Sequence, residues 1–258
     1  MYKTALITGA TSGIGKATAI KLAENGYKVI ITGRRKEYLL KLQNYLENMF
    51  RQGIVYILNF DIRNKIEVEN AINQLPEDWK IIDLLVNNAG LAAGTEPIHE
   101  GIVDDWEQMI DTNIKGLLYI SRIISPQMIK REKGHIINIG SVAGKEVYAN
   151  GNTYCATKHA VDALTKGMRI DLLKYGIKVS SVSPGAVETE FSYVRYKWDK
   201  ENADKVYDGF MPLKAEDIAE AVLYTATRPD HVNINDILIM PTAQANTSHL
   251  IRKVNNQK

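Results

Sequence analysis

The chain has 258 residues, 45% hydrophobic and 24% charged, which is the balance of an ordinary globule and enough chain for one large core. Its 32 Lys and Arg against 30 Asp and Glu leave a net charge of +2, so no general field for nucleic acid or an anionic membrane surface is expected. Cys155 is the only cysteine, no stretch approaches the roughly 18 apolar residues of a membrane span, and Met1-Tyr-Lys enters Ala5-Leu6-Ile7 without a leader pattern; a cytoplasmic protein with no disulfide is expected.

The first predicted strand, Thr4 to Thr8, runs into Thr8-Gly-Ala-Thr-Ser-Gly-Ile-Gly15, and a helix is expected from Ile14 to Glu24. A glycine-rich turn between a strand and a helix is the setting a dinucleotide loop requires. Gly9, Gly13 and Gly15 let the backbone approach a pyrophosphate, and the helix amino terminus offers unpaired N–H groups and a partial positive charge. The spacing, G-x-x-x-G-x-G, departs from the commoner G-x-G-x-x-G.

The second strand, Lys28 to Thr32, ends in Thr32-Gly33-Arg34-Arg35. An acidic residue here would hold a ribose 2′-hydroxyl, whereas a guanidinium accommodates a 2′-phosphate. Carboxylate is absent and two arginines are present, so NADP(H) is the expected cofactor, with Arg34 or Arg35 bonding its phosphate.

A helix from Lys36 to Phe50, a strand from Val55 to Phe60, a helix from Lys65 to Gln74 and a strand from Leu84 to Asn87 come next. A long helical pair between Asp104 and Arg131 leads to a strand from Gly134 to Ile139. Beyond it, Tyr154-Cys-Ala-Thr-Lys158 opens a helix whose apolar positions Val161, Leu164, Met168 and Leu172 recur every three to four residues. Side chains four apart share a helix face, so the Tyr154 phenol and Lys158 ammonium point the same way. The positive charge is expected to favour the phenolate and move Tyr154 down from the ordinary ~10, toward the range of an acid–base catalyst. Cys155 beside it reads as a small packing residue.

A strand from Val179 to Val182 precedes Pro184-Gly185. The segment 191–211 then breaks the rhythm with Tyr193, Arg195, Tyr196, Lys197, Trp198 and Asp199; it is either a small helical lid or a surface excursion. A helix from Ala215 to Thr227 and a strand from Asp236 to Met240 complete the pattern, and the polar tail 252–258 is expected to fray. Strand alternating with helix over residues 1–251 predicts one α/β domain of Rossmann type, with a doubly wound, parallel, seven-stranded sheet and its ligand at the carboxyl ends of the strands. No metal site is expected.

These strings, with Asn87-Asn-Ala-Gly90, Asn113 in Asp111-Thr-Asn-Ile-Lys-Gly116, Gly140-Ser141, and Pro184-Gly185 followed by Val187 and Thr189, resemble the short-chain dehydrogenase/reductase family over nearly the whole chain. Longer strings are similar to its branch of NADP-dependent 3-hydroxy acid dehydrogenases, which oxidise serine, allo-threonine and related acids: Thr32 to Arg35, Leu91 to Pro97, Asp105-Trp106 with Met109 to Asn113, His135 to Ser141, Glu190-Phe-Ser with Val194 to Lys197, and His231 to Asn235. Two places depart from that branch, the short segment Ala186 to Glu190 and the charged pair Lys145-Glu146.

The resemblance implies roles. Tyr154 would exchange a proton with the substrate oxygen and Ser141 would hydrogen-bond that same oxygen. Lys158 would bond the nicotinamide ribose and favour the phenolate, and Asn113 would hold a water of a proton relay. Thr11, Ser12 and Ile14 belong to the pyrophosphate loop, Asp61 and Ile62 would flank adenine, and Asn88 would face the adenosine ribose. Pro184, Gly185, Val187 and Thr189 would lie on the carboxamide side of nicotinamide. Asp61 is equally suited to cap the next helix. The resemblance also implies a homotetramer packed through the helices 104–131 and 153–175.

A hydroxy acid needs a cation for its carboxylate. Arg195 or Lys197 in the 191–211 segment is the expected donor, and Lys145 competes. Two other functions share many of these residues: a 3-oxoacyl carrier protein reductase, against which Leu238-Ile-Met-Pro-Thr242 stands in place of a paired-glycine turn, and a non-catalytic NADP(H) sensor, against which the complete catalytic set stands.

Overall fold

A computed structural model describes residues 3–253. The start at Met1 and Tyr2 and residues 254–258 of the expected tail lie outside the described residues.

The chain alternates strand and helix almost throughout. In order, the elements are β1 (Thr4–Ile7), α1 (Gly13–Glu24), β2 (Lys28–Gly33), α2 (Lys36–Met49), β3 (Val55–Asn59), α3 (Lys65–Asn73), α4 (Glu77–Lys80) and β4 (Leu84–Asn87). Next come α5 (Val103–Ile110), α6 (Leu117–Lys130), β5 (His135–Ile139), α7 (Asn152–Leu172), β6 (Lys178–Pro184) and β7 (Val187–Glu188). The last are α8 (Phe191–Arg195), α9 (Lys200–Lys205), β8 (Leu213–Lys214), α10 (Ala215–Ala226) and β9 (Asp236–Ile239). Seven strands form one parallel sheet in the order β3-β2-β1-β4-β5-β6-β9, and β7 and β8 pair as a small second sheet.

Alternation of side chains along each strand feeds two cores. Ala5, Ile7, Val29, Ile31 and Val86 face α1, α2 and α10, meeting Leu22, Leu39, Leu46 and Val222. Leu6, Ile30, Leu85, Ile136 and Val179 face the other way, onto α3, α6 and α7, meeting Val68, Ile120, Ile124 and Leu172. With both faces covered, the strands read as nearly continuous apolar runs, as buried parallel sheets do. Truncating a wholly buried side chain such as Ile124 to alanine costs about 2–5 kcal/mol on that account. The strand order reverses between β1 and β4, which opens a crevice at their carboxyl ends.

Beyond α4 and the β7–β8 pair, which the sequence reading does not name, two features differ from it, and a third is one it leaves open. The expected helical pair is one run in which a π-helical stretch, Asp111–Gly116, joins α5 to α6. The segment 191–211 is a helical excursion: α8 and α9 are joined through Lys197 and Trp198, both in the left-handed region at φ 53° and 67°. Its strained turn is tied down, since the Gly94 N–H donates to the Arg195 carbonyl at 3.0 Å. At the tail, Arg252 donates to the Val206, Lys205 and Asp208 carbonyls, and the Lys253 N–H donates to the Gly209 carbonyl; these two residues are docked, where fraying was expected. Among the described residues no helix is long and apolar enough to cross a membrane.

Candidate active site

A cavity of about 600 Å³ fills the crevice, lined by the glycine loop, the ends of β2 to β6 and the 191–211 segment. Every residue that the sequence assigned to a cofactor appears on this lining except Gly15, which lies just beneath it.

The glycine loop is built for close approach. Gly13 has φ +50°, and a Cβ there would press on the Thr189 side chain at 3.2 Å. At Gly15 a Cβ would meet the Gly9 carbonyl oxygen at 2.4 Å, so only glycine lets α1 start so near the loop. Asn88 holds the loop in place: its Nδ2 donates to the carbonyls of Thr8 at 2.8 Å and Gly9 at 3.1 Å. The Thr8 hydroxyl oxygen in turn accepts from the Asn88 and Ala89 N–H groups.

At the adenosine end, Asp61 accepts from Arg63 through both carboxylate oxygens and lies 3.7 Å from Arg34. Burial would raise its carboxyl, and the Arg63 hydrogen bonds reverse that, so it titrates below the ordinary carboxylate range. It is not the helix cap that the sequence left open. Asn64 caps α3, accepting from the Ile66 and Glu67 N–H groups. Arg34 is exposed, whereas Arg35 reaches back over the loop to Thr11, Ser12 and Glu190.

Four side chains assigned to chemistry gather at the other end. Ser141, at the end of β5, caps a 3-10 turn, its hydroxyl accepting from the Ala143 N–H at 3.1 Å, and it lines the cavity with Tyr154. Lys158 is buried, with Nζ donating to the Ile139 carbonyl at 2.9 Å. Asn113 is presented by the π-helical stretch, whose wider turn aims it inward. Its Nδ2 donates to the Leu91 carbonyl and the Thr157 hydroxyl, and its Oδ1 accepts from the Leu91 N–H.

The electrostatics correct one expectation. Burial pushes the Tyr154 phenol above its ordinary value, nearby Tyr148 adds to the rise, and the groups that lower it are Ser141 and Arg195. The Lys158 ammonium donates to the Ile139 carbonyl, and burial brings its own pKa down to about 8. Sharing a helix face with Tyr154 brought the two side chains into one pocket.

The three candidate cations are sorted by their partners. Lys145 is held between Asp162 and Asp236 at 2.5 and 2.7 Å, and Lys197 is paired with Asp105 at 2.8 Å. Glu146, the other half of the unexpected charged pair, accepts from Thr247. Arg195 differs: its Nη1 donates to the Tyr148 hydroxyl at 2.8 Å, its buried Nε has no partner, and its guanidinium lies 6.0 Å from the Tyr154 ring centre. Tyr148 was not singled out from the sequence, where nothing links it to a residue 47 positions later. Cys155 is buried, as a packing residue should be.

Residues 3–200 match the profile described as short chain dehydrogenase. Over 242 residues the chain is 49% identical to the NADP-dependent 3-hydroxy acid dehydrogenase YdfG of Salmonella typhi, spanning 93% of this chain and 95% of that protein. Over 246 residues it is 43% identical to sulfoacetaldehyde reductase 2 of Chromohalobacter salexigens, spanning 95% and 96%. Among solved structures, the closed form of a serine dehydrogenase complexed with NADP+ is similar at a TM-score of 0.91 and 44% identity, over 97% of this chain and 100% of that one.

Proposed function

The chain belongs to the short-chain dehydrogenase/reductase family, and on that premise we propose that it interconverts a small 3-hydroxy acid, such as serine or allo-threonine, and its 3-oxo acid with NADP(H). The observation that carries this reading is the Arg195 guanidinium, which lies 6.0 Å from the Tyr154 ring centre with its Nε unpartnered and, among the described residues, no carboxylate paired to it.

The residues fit the dinucleotide. The cradle at Gly13 would be narrowed by any side chain, and two guanidiniums stand at the end where a 2′-phosphate belongs. Thr11, Ser12 and Ile14 would line the pyrophosphate, Asp61 and Ile62 the adenine, and Pro184, Gly185, Val187 and Thr189 the nicotinamide. When bound, the nicotinamide supplies the hydride in reduction and takes it in oxidation.

Within this reading, Tyr154 is neutral before reduction and gives its proton to the carbonyl oxygen, which suits a phenol held above its ordinary pKa. Ser141 donates to the same oxygen and stabilises the charge that grows on it. Lys158 positions the ribose, and Asn113, anchored to Leu91 and Thr157, closes the relay behind it. Arg195 bonds the carboxylate and so fixes which carbon faces the ring.

Leu118 on α6 and Ile170 on α7, both exposed and apolar, support a homotetramer packed through these helices, and the single buried cysteine supports a cytoplasmic location. A sulfonate in place of the carboxylate is the rival substrate class, favoured by the similarity to a sulfoacetaldehyde reductase. Following NADPH by absorbance with 3-oxo acids, sulfoacetaldehyde, bulky ketones and acyl thioesters decides among them. The proposal expects the highest kcat/KM with a 3-oxo acid; a highest value with any other class overturns it.

A further inference from the structure

The adenosine end of the cavity carries an ion pair for which the family reading has no use. Arg35 Nη2 lies 3.0 Å from the Thr11 hydroxyl, 2.9 Å from the Ser12 hydroxyl and 2.9 Å from Glu190 Oε2. Its guanidinium is also 4.4 Å from the centre of the Tyr38 ring, so the side chain is fixed from two sides. Glu190 comes from the root of the 191–211 segment, next to Thr189. The guanidinium best suited to hold an anion at this corner therefore already faces one.

A 2′-phosphate would ask for the same donors, since charge-assisted N–H and O–H bonds are what bind phosphate and carboxylate oxygens alike. Arg34 alone is less suited: it is exposed, and at 3.7 Å it faces Asp61, which Arg63 already engages. Burial would raise the Glu190 carboxyl, but Arg35 and Ser12 outweigh this, so the group is ionised at neutral pH and repels a second anion.

We propose that Glu190 is a specificity-determining residue: in the unliganded protein its carboxylate takes the Arg35 donor, and the 2′-phosphate of NADP(H) must displace it, whereas NAD(H) leaves it in place. Displacement exchanges one anion for another, so the Arg35 donors are satisfied in both states. It also releases the root of the 191–211 segment only when the phosphorylated cofactor arrives. The inference rests on the NADP reading above.

Fluorescence titration of NADPH and NADH against wild type, Glu190→Gln and Glu190→Ala tests it without turnover. Removing the charge is expected to tighten NADPH by about two- to fivefold, the strength of a half-exposed ion pair, and to leave NADH unchanged. The unchanged NADH affinity also shows that the variants fold. If NADPH binds both variants equally or more weakly than wild type, while wild type still prefers NADPH, this inference is overturned and the NADP reading stands. A wild type that binds NADH as tightly as NADPH overturns both.

Discussion

Arg195 donates from Nη1 to the Tyr148 hydroxyl at 2.8 Å, an arrangement that leaves its Nε buried and unpaired beside the Tyr154 ring. A guanidinium held by a neutral phenol keeps its charge free for an incoming anion, which a carboxylate partner would have neutralised. Lys145 and Lys197 show that contrast, each already bound to aspartate.

Replacing Arg195 should therefore change substrate binding selectively. Arg195→Met is expected to raise KM for a 3-hydroxy acid by about 30- to 100-fold, the loss of a charge-assisted bond, with little effect on an uncharged alcohol. Lys145→Met and Lys197→Met are expected to leave that KM within about threefold. Steady-state kinetics on the three variants checks this; a KM unchanged in Arg195→Met removes the residue from substrate binding.

Tyr148 acts through Arg195, so its effect should be weaker and confined to positioning. Tyr148→Phe is expected to raise KM for the acid by about three- to tenfold while kcat holds, the cost of one hydrogen bond. An equal fall in kcat for charged and neutral substrates would instead assign Tyr148 to the chemical step.

The pH profile should report Lys158. Burial lowers its pKa to about 8, so the cation is present below that pH and lost above it, while the Tyr154 phenol, raised, stays protonated. In the direction of reduction, kcat/KM for NADPH, which reads the free enzyme, is expected to fall above about pH 8. Lys158→Arg keeps a charge and should move that limb upward; a limb that stays near 8 in this variant belongs to another group.

His135 should set part of the acid stability. It is buried on β5, with Nε2 2.8 Å from the Ser180 hydroxyl, and burial lowers its pKa to about 3. Because the folded pKa is depressed, the unfolded chain takes a proton first as pH falls below about 6.5. Stability is full above that pH and declines below it, by about 2 kcal/mol at pH 5. Urea unfolding of wild type and His135→Asn at pH 7.5 and 5 checks the difference; equal losses in both would refute it.

The seven strands of the main sheet were legible to within a residue or two, because β-branched runs such as Val29-Ile-Ile31 have one use in a soluble α/β chain, burial on both faces; the two-residue strands β7 and β8 were not. The glycine loop was legible because strand, turn and helix adjoin in sequence. What escaped notice depends on partners far along the chain. The bonds from Arg195 to Tyr148 and from Arg35 to Glu190 cross 47 and 155 residues, and the pairing that occupies Lys145 joins α7 to β9. The π-helical stretch was missed for another reason: one extra residue in a turn leaves the apolar spacing of Met109 and Leu117 consistent with an ordinary helix.

The central claim is that the Tyr154 phenol carries the proton for a reaction on NADP(H). Turnover and NADPH binding of Tyr154→Phe, measured on the same preparation, test it most directly. NADPH should bind about as tightly as to wild type while kcat for a 3-oxo acid falls by about 10²- to 10⁴-fold. A variant that binds NADPH and retains kcat within about threefold of wild type would contradict the account.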